Sequence, residues 1–281
     1  MAQLVWLITG CSSGLGREFV RQIIARGDVA IATARKLDSI ASLEEAGASI
    51  VCLDVTHEQD ELDRIVAGAV AIHGRIDVLV NNAGFIVQGA LEELSMAQIV
   101  AEFETNVFGA VKVTKALLPH FRQRRAGNLV FISSLSGWIG HPYVGAYAAS
   151  KFAIEGFAES VRAETETLGI KTLLVEPGRF RTNLLTLGNL KLTSSKISDY
   201  EEAAYANIEG LALEDRAQPG NPVKAISIVL DVIRGEGAAA GRAAPFRLPL
   251  GRDCYDEIKA KCDDMLDVLR SWEDVITSTD Y

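Results

Sequence analysis

The chain predicts an α/β architecture: a doubly wound parallel sheet in one domain over residues 1–281, with a small substrate-binding cap over residues 183–222. Three observations carry this. Short continuous runs rich in Val, Ile and Leu alternate with helical patterns, and such runs read as strands buried on both faces of a parallel sheet. Strand followed by helix gives right-handed crossovers with helices on both faces. Glycine and polar residues stand where strands end, at 9–16, 54, 81–84, 133–134 and 177–178, and sheets of this kind take ligands beyond the carboxyl ends of their strands.

The elements follow in order. LVWLIT is the first strand and a helix covers 14–26. VAIATA (29–34) is the second strand, and LDSIASLEEAG a short helix. SIVCLDV (49–55) is the third, followed by a helix over QDELDRIVAGAVAIHG. IDVLVNNAG (76–84) is the fourth and ends in a turn. A long helical pattern runs from 95 to 118, and Pro119 is expected to stop it, because proline has no N–H and crowds the preceding turn. GNLVFISS (127–134) is the fifth strand, a helix covers 147–168, and KTLLVEP (171–177) is the sixth strand. From 183 to 222 the rhythm gives way to a polar, punctuated segment, read as a cap of short helices. In it Leu184, Leu185, Leu187, Leu190 and Leu192 suggest an apolar lid. Residues 235–244 read as a flexible connection, PFRLPLG as a candidate last strand, and the tail as an amphipathic helix.

Composition narrows the function. The 281 residues are 48% hydrophobic and 23% charged, as in ordinary globular domains. A net charge of −9 argues against a general nucleic-acid binder and against an anionic membrane surface. No apolar run approaches the ~20 residues of a membrane span, and no basic lead precedes a long apolar stretch as in a signal peptide. Cys11, Cys52, Cys254 and Cys262 form no CxxC pair and read as reduced thiols of a cytoplasmic protein. HExxH is absent and the four histidines are scattered, so no metal is expected.

The stretch TGCSSGLG joins the first strand to the first helix. A helix N-terminus offers unpaired N–H groups and a positive dipole end. Phosphate binds there when glycine lets the backbone come close, so Gly10, Gly14 and Gly16 suit a turn under a pyrophosphate. A plain strand–helix turn is the bland alternative. Tyr147 and Lys151 are four residues apart and share a helix face. An ammonium beside a phenol lowers the phenol's pKa, and a tyrosine so tuned exchanges protons near neutral pH. Ser134 precedes Tyr147 by 13 residues at a strand end, where its hydroxyl can donate to a carbonyl oxygen. Taken singly, Tyr147 and Lys151 would be a half-buried ring and a solvated charge.

These motifs together resemble the short-chain dehydrogenase/reductase family: TGxxxGxG, Asp54, NNAG at 81–84, Asn106, SS at 133–134, YAASK at 147–151, and PG at 177–178 with Thr182 four residues on. The likeness covers about residues 3–183. It implies a Rossmann-like fold and hydride transfer between a nicotinamide and a carbonyl or secondary alcohol, the cofactor supplying the chemistry. It implies that Tyr147 is general acid or base, that Lys151 lowers its pKa and holds the nicotinamide ribose, that Ser134 positions the carbonyl, and that Asn106 holds a relay water. Asparagine is a mediocre helix former, so a local distortion at Asn106 would suit that role. The cofactor set is Thr9, Gly10, Ser12, Ser13, Gly14, Leu15, Gly16, Arg35, Lys36, Asp54, Val55, Asn81, Ala83, Gly84, Tyr147, Lys151, Pro177, Gly178 and Thr182. Asp54 would accept from the adenine or cap the next turn, and Thr182 would touch the carboxamide or cap a helix. Ser134, Trp138, His141, Tyr143, Tyr147 and Phe180, with Phe85, flank the substrate, although His141 also reads as a surface histidine. Cys11 reads as a packed small residue.

The second strand ends ATARKL, with Ala34 where an NAD enzyme of the family places an acid. Arg35 and Lys36 follow, and a guanidinium suits a 2′-phosphate, so NADP(H) is expected over NAD(H). The bland alternative is that both are only solvated surface charges. Phe152, Ala153, Gly156, Phe157 and Ser160 form a stripe that either pairs two copies, in a homodimer or homotetramer, or packs on the chain's own sheet. The substrate expected is a fairly bulky, uncharged ketone or alcohol. The alternative to an enzyme is a cofactor-binding scaffold, sensor or non-redox protein using the same pocket.

Overall fold

The computed structural model describes residues 2–186 and 189–281. The chain enters on β1 (Val5–Ile8), passes the glycine loop into α1 (Gly14–Ala25), and returns as β2 (Val29–Ala34). A 3₁₀ turn leads to α2 (Ala41–Glu45), then β3 (Ser49–Cys52), α3 (Gln59–His73) and β4 (Val78–Asn81). A three-residue strand β5 (Ile86–Gln88) precedes α4 (Met96–Phe103), a π-turn over Glu104–Gly109, and α5 (Ala110–Arg124). Then come β6 (Gly127–Ile132), α6 (Gly145–Thr165) and β7 (Ile170–Pro177). The cap holds β8 (Leu190–Leu192) and α7 (Ser198–Glu214); α8 (Pro222–Arg234), β9 (Arg247–Leu250), α9 (Arg252–Ser271) and α10 (Glu273–Thr277) complete the chain.

The sheet order is β3-β2-β1-β4-β6-β7-β9, and every pairing is parallel. Alternate strand residues face opposite sides. Trp6, Ile8, Val78 and Val80 pack with Phe19 and Ile23 of α1 and Val229 of α8. Val5, Leu7 and Leu79 pack on the other face with Val113, Leu117 and Phe121 of α5 and Ile154 of α6. PFRLPLG supplies the seventh strand, as expected. No described helix is long and apolar enough to cross a membrane. Among the described residues no group of three or more His, Cys, Asp or Glu could hold a metal ion.

Three expectations are corrected. Pro119 does not stop the helix, which runs to Arg124. Proline removes the partner of the Lys115 carbonyl, but Lys115 and Pro119 are on the exposed side, where water can serve that carbonyl. Buried Phe121 and an Arg124–Asp77 ion pair at 2.7 Å hold the last turn. The cap is not a set of short helices. After a three-residue 3₁₀ turn (Asn183–Leu185) it holds one 17-residue helix, α7, and a strand β8 that pairs in parallel with β5 from Ile86↔Leu190 to Gln88↔Leu192. The 235–244 connection contains an ordered turn, Gly237–Ala239, whose Ala238 N–H donates to Asp231 at 3.0 Å.

Candidate active site

Ser13 precedes α1 in extended backbone, its side chain caps nothing, and the first turn carries no acid. The helix end is therefore left open to an outside anion. Gly10 has φ +71° and Gly14 φ +56°, and a Cβ on Gly10 would stand 2.8 Å from Ala83 Cα. A Cβ on Gly16 would collide with the Gly10 carbonyl and Asn82 Nδ2. This cradle fits a pyrophosphate. Arg17, unnoticed in the sequence, donates to the carbonyls of Ser12 (2.8 Å) and Ser39 (2.9 Å), which ties the loop to the turn after β2.

A cavity of about 490 Å³ opens over the strand ends. Gly10, Ser12, Ser13, Gly14, Leu15, Arg35, Asp54, Val55, Ala83, Gly84, Pro177, Gly178 and Thr182 line it, with Phe85, Tyr147 and Lys151. Four residues of the expected cofactor set do not. Thr9 is buried and its hydroxyl accepts from Asn82 N and Ala83 N at 2.9 and 3.1 Å, joining two strand ends. Asn81 is buried and donates to Thr114 at 2.9 Å; its neighbour Asn82 reaches the cavity instead. Gly16 serves as the seat of the loop, and Lys36 stands exposed outside the lining. Asp54 both lines the cavity and accepts from Thr56 N and Oγ1 at 3.0 and 2.8 Å. Burial pushes its pKa up, but the Thr56 hydrogen bonds and the charges of Arg35 and His57 outweigh it and hold the carboxyl below its ordinary value. Thr182 likewise accepts from Leu184 N at 3.3 Å while facing the cavity. Cys11 is fully buried, and burial pushes its thiol up to about 12, so it is inert packing.

A second cavity of about 560 Å³ lies under the cap. Ser134, Tyr147, Gly178, Phe180 and Leu184 line both cavities. The second is walled by Ile86, Val144, Leu185, Leu190 and Leu211, so the lid expected from the leucines is realised by Leu184, Leu185 and Leu190. Leu192 is exposed, and Leu187 lies outside the described residues. His141 lines this cavity and meets Glu257 at 2.9 Å. Trp138 and Tyr143, expected at the substrate, line neither cavity. The Trp138 indole N–H is held by Glu176 at 2.8 Å. Tyr143 bends the chain at φ +65°, and its carbonyl accepts from Gly89 N at 2.8 Å.

Tyr147 sits in the first turn of α6, and Lys151 is one turn on. Ser134 ends β6's exit and accepts from Ser136 N at 3.1 Å. Lys151 Nζ donates to the Ile132 carbonyl at 2.8 Å and stands 5.5 Å from the Tyr147 ring centroid. The expected lowering of the phenol pKa is not what this geometry gives. Burial pushes Tyr147 up to about 12, the Ser134 hydroxyl offsets this in part, and the charge of Glu102 adds to it. Burial brings Lys151 down to about 8, against the pull of Glu155 and Glu102. The ammonium's hydrogen bond goes to the Ile132 backbone carbonyl rather than to the phenol oxygen, and two of its three N–H donors remain. Asn106 lies in the π-turn, so the helix is distorted there. Its Oδ1 accepts from Phe85 N at 3.1 Å, and its Nδ2 donates to Phe85 O at 3.0 Å and to Ser150 Oγ at 3.1 Å. Ser150 in turn donates to the Tyr147 carbonyl at 2.7 Å. Asn106 thus ties α6 to the segment after β4. Glu102 and Glu155 were missed in the sequence, though their spacing was a signal: each lies four residues from Asn106 or Lys151 on the same helical run.

A doubly wound sheet, an open anion cradle at α1, a serine and a tyrosine at the junction of two cavities, and a lysine in the first of them define an oxidoreductase of the dinucleotide-binding class. The family model described as short chain dehydrogenase matches residues 4–191, and the chain belongs to that family. It is 34% identical over 256 residues to oxidoreductase BOA17 of Botryotinia fuckeliana, covering 90% of each chain. It is 32% identical over 251 residues to the 3-ketodihydrosphingosine reductase of Bacteroides thetaiotaomicron, covering 89% of each. The crystal structure of a short-chain dehydrogenase from Streptomyces avermitilis superposes with a TM-score of 0.88 at 37% identity, over 100% of both chains.

Proposed function

We propose that the protein is an NADP(H)-dependent oxidoreductase acting on a carbonyl or secondary alcohol of a fairly bulky, apolar substrate. One observation carries the reading: Ser134 and Tyr147 line both cavities, while Lys151 lines only the one above the glycine cradle. The dinucleotide's pyrophosphate is taken to rest on the open N–H groups of α1, its adenosine near Asp54 and Val55, and its 2′-phosphate by Arg35. When bound, the nicotinamide supplies or accepts hydride. Ser134 donates a hydrogen bond to the substrate oxygen, which stabilises charge growing there. Tyr147 gives that oxygen its proton in reduction and takes it back in oxidation. Its phenol, held protonated by burial, suits the donor's part. Lys151, near 8, is able to pass protons at neutral pH and to hold the nicotinamide ribose, and Asn106 to complete the path to solvent.

The apolar side of the second cavity, formed by Ile86, Val144, Leu185, Leu190 and Leu211 opposite polar groups such as Arg179, Asn207 and Glu214, supports a bulky substrate, and the Bacteroides relative is named for a keto compound. We take the protein to be cytoplasmic and to assemble as a homodimer or homotetramer. The test is the purified protein with NADPH or NADH and a wide panel of ketones and alcohols, followed by nicotinamide absorbance. Turnover is expected, faster with NADPH. Cofactor binding without turnover across the panel would overturn the enzyme reading in favour of a sensor or scaffold.

A further inference from the structure

The residues around Ser134 are held by a charged cluster that none of the roles above uses. Glu155 and Glu176 are 4% and 0% exposed. Ser133 Oγ donates to Glu155 Oε1 at 2.6 Å. Arg247 Nη1 donates to Glu155 Oε2 and to Glu176 Oε1, both at 2.6 Å. The Trp138 indole donates to that same Glu176 oxygen at 2.8 Å. The guanidinium lies 4.9 Å from the Trp138 ring centroid and 5.6 Å from that of Phe246. Gly137 packs so tightly on Glu155 that a Cβ would overlap its carboxylate.

A carboxylate from a helix and one from a strand therefore meet on one cation, and Ser133 joins them through Glu155. Glu155 comes from α6, Glu176 from β7, Ser133 from the end of β6, and Arg247 from β9. Arg247 lies outside the segment that matches the family model. Glu155 is also one turn from Lys151, on the same face of α6. The other charged or titratable groups facing this region are few. Glu102 of α4 and Tyr147 of α6 face Lys151, and Glu159 of α6 approaches Arg247 at 3.7 Å. Lys261 of α9 donates to the Trp138 carbonyl, and the buried Cys254 thiol of α9 donates to the Glu176 carbonyl at 3.1 Å.

We propose that Arg247 is a positioning residue for the reaction: by bridging Glu155 and Glu176 it fixes the backbone that carries Ser134 and offsets the negative charge that Glu155 presents to Lys151. This rests on the roles proposed above for Ser134, Tyr147 and Lys151. Without Arg247, two neighbouring buried carboxylates would lose the cation they share, and removing one partner of a buried pair leaves the remaining charge uncompensated. Lysine, a single point charge, cannot span both carboxylates as a planar guanidinium does.

The direct readout is the titration of Lys151 itself, followed by carbon NMR of the protein labelled at lysine Cε, with Lys151→Arg assigning the signal. The wild-type midpoint is expected near 8. Arg247→Met removes the offsetting cation and should raise the midpoint by at least about half a pH unit; Glu155→Gln removes the anion and should lower it by a similar amount. Arg247→Lys keeps the charge and should leave the midpoint near wild type, yet lower kcat about tenfold through misplacement of Ser134. A midpoint unmoved in Glu155→Gln, or moved the same way by Glu155→Gln and Arg247→Met, overturns the proposal. Wild-type kcat in Arg247→Lys overturns its positioning half. Should Arg247→Met fail to fold, the Gln and Lys variants decide. The NMR titration needs no turnover, so it stands or falls separately from the catalytic reading, which instead fails if Tyr147→Phe keeps its activity.

Discussion

Tyr147 is the residue proposed to carry the proton, and its surroundings favour the protonated phenol. The ring is buried, and burial opposes the phenolate. Removing only the hydroxyl leaves the packing with Ile86 and Leu190 in place. Tyr147→Phe should fold and bind cofactor nearly as wild type but lose at least ~10²-fold in turnover, the lower range for a general acid; steady-state rates beside a thermal melt check both halves. Lys151→Ala should weaken turnover and cofactor binding together, because one ammonium is assigned to both. At the other end of the nucleotide cavity, Ala34 and Arg35 stand side by side in the lining. Among the described residues Arg35 makes no ion pair, so its guanidinium is available to a phosphate. A charge-assisted hydrogen bond contributes ~1.5–3 kcal/mol, so Arg35→Ala should weaken NADPH about tenfold or more and leave NADH nearly unchanged. Ala34→Asp should reverse the preference, since a carboxylate holds ribose hydroxyls and repels a 2′-phosphate. Equal kcat/KM for the two cofactors in the wild type would remove the basis for both variants.

The run from α4 through the π-turn to α5 places Asn106 and buries Glu102 one turn before it. Glu102 accepts from Val87 N at 3.0 Å through Oε1, while Oε2 has no partner among the described residues. Burial raises its carboxyl to about 7, against the Val87 hydrogen bond and the charges of Lys151 and Lys191. A raised carboxyl pKa means that the folded state prefers the proton. Its stabilisation is full below the ordinary value of 4.5 and is lost as pH rises toward 7. Glu102→Gln keeps an acceptor for Val87 and cannot ionise, so its stability relative to wild type should improve between pH 4.5 and 7, by up to about 2–3 kcal/mol. A Tm difference that is flat across that range would refute the assignment. The sheet itself was legible because its strands are continuous apolar runs that end in glycine or polar residues, as at Val29–Ala34 and Ile170–Pro177. Local patterns could not show pairings made across the chain. Ile86–Gln88 is three residues long and finds its partner a hundred residues later. Nor could they show which polar residue of a strand end turns inward: Asn81 and Thr9 face the body of the protein, Asn82 the cavity. Trp138 read as a substrate wall because nothing nearby in the sequence betrays Glu176 and Arg247. Pro119 read as a stop because its exposed position, which makes it tolerable, is a property of the packed helix.

Among the described residues, one face of α6 keeps its aromatic rings partly in water. Phe152 and Phe157 are 44% and 46% exposed, and Phe108 on the adjacent π-turn is 43% exposed. Between the two α6 rings a Cβ on Gly156 would touch nothing, so a second backbone has room to approach. Of the two readings of this stripe, packing on the chain's own sheet does not account for rings that stay nearly half in water, although Lys261 Nζ lies 5.0 Å from the Phe152 ring centroid. Burying such a side chain contributes roughly 1.5–3 kcal/mol, and a two-fold contact doubles each gain because both copies present the same patch. The net charge of −9 disfavours non-specific association, so the attraction has to come from this apolar face. The wild type at micromolar concentration should therefore scatter light as at least twice the 30.3 kDa chain. Phe157→Glu, which would place a buried carboxylate against its own copy across the two-fold axis, should shift the population to monomer and leave the far-UV spectrum unchanged. A wild-type protein that scatters only as a 30.3 kDa species would show that these rings pair with nothing, and that Tyr147 and Lys151, on the same helix, are held in place by contacts within one chain.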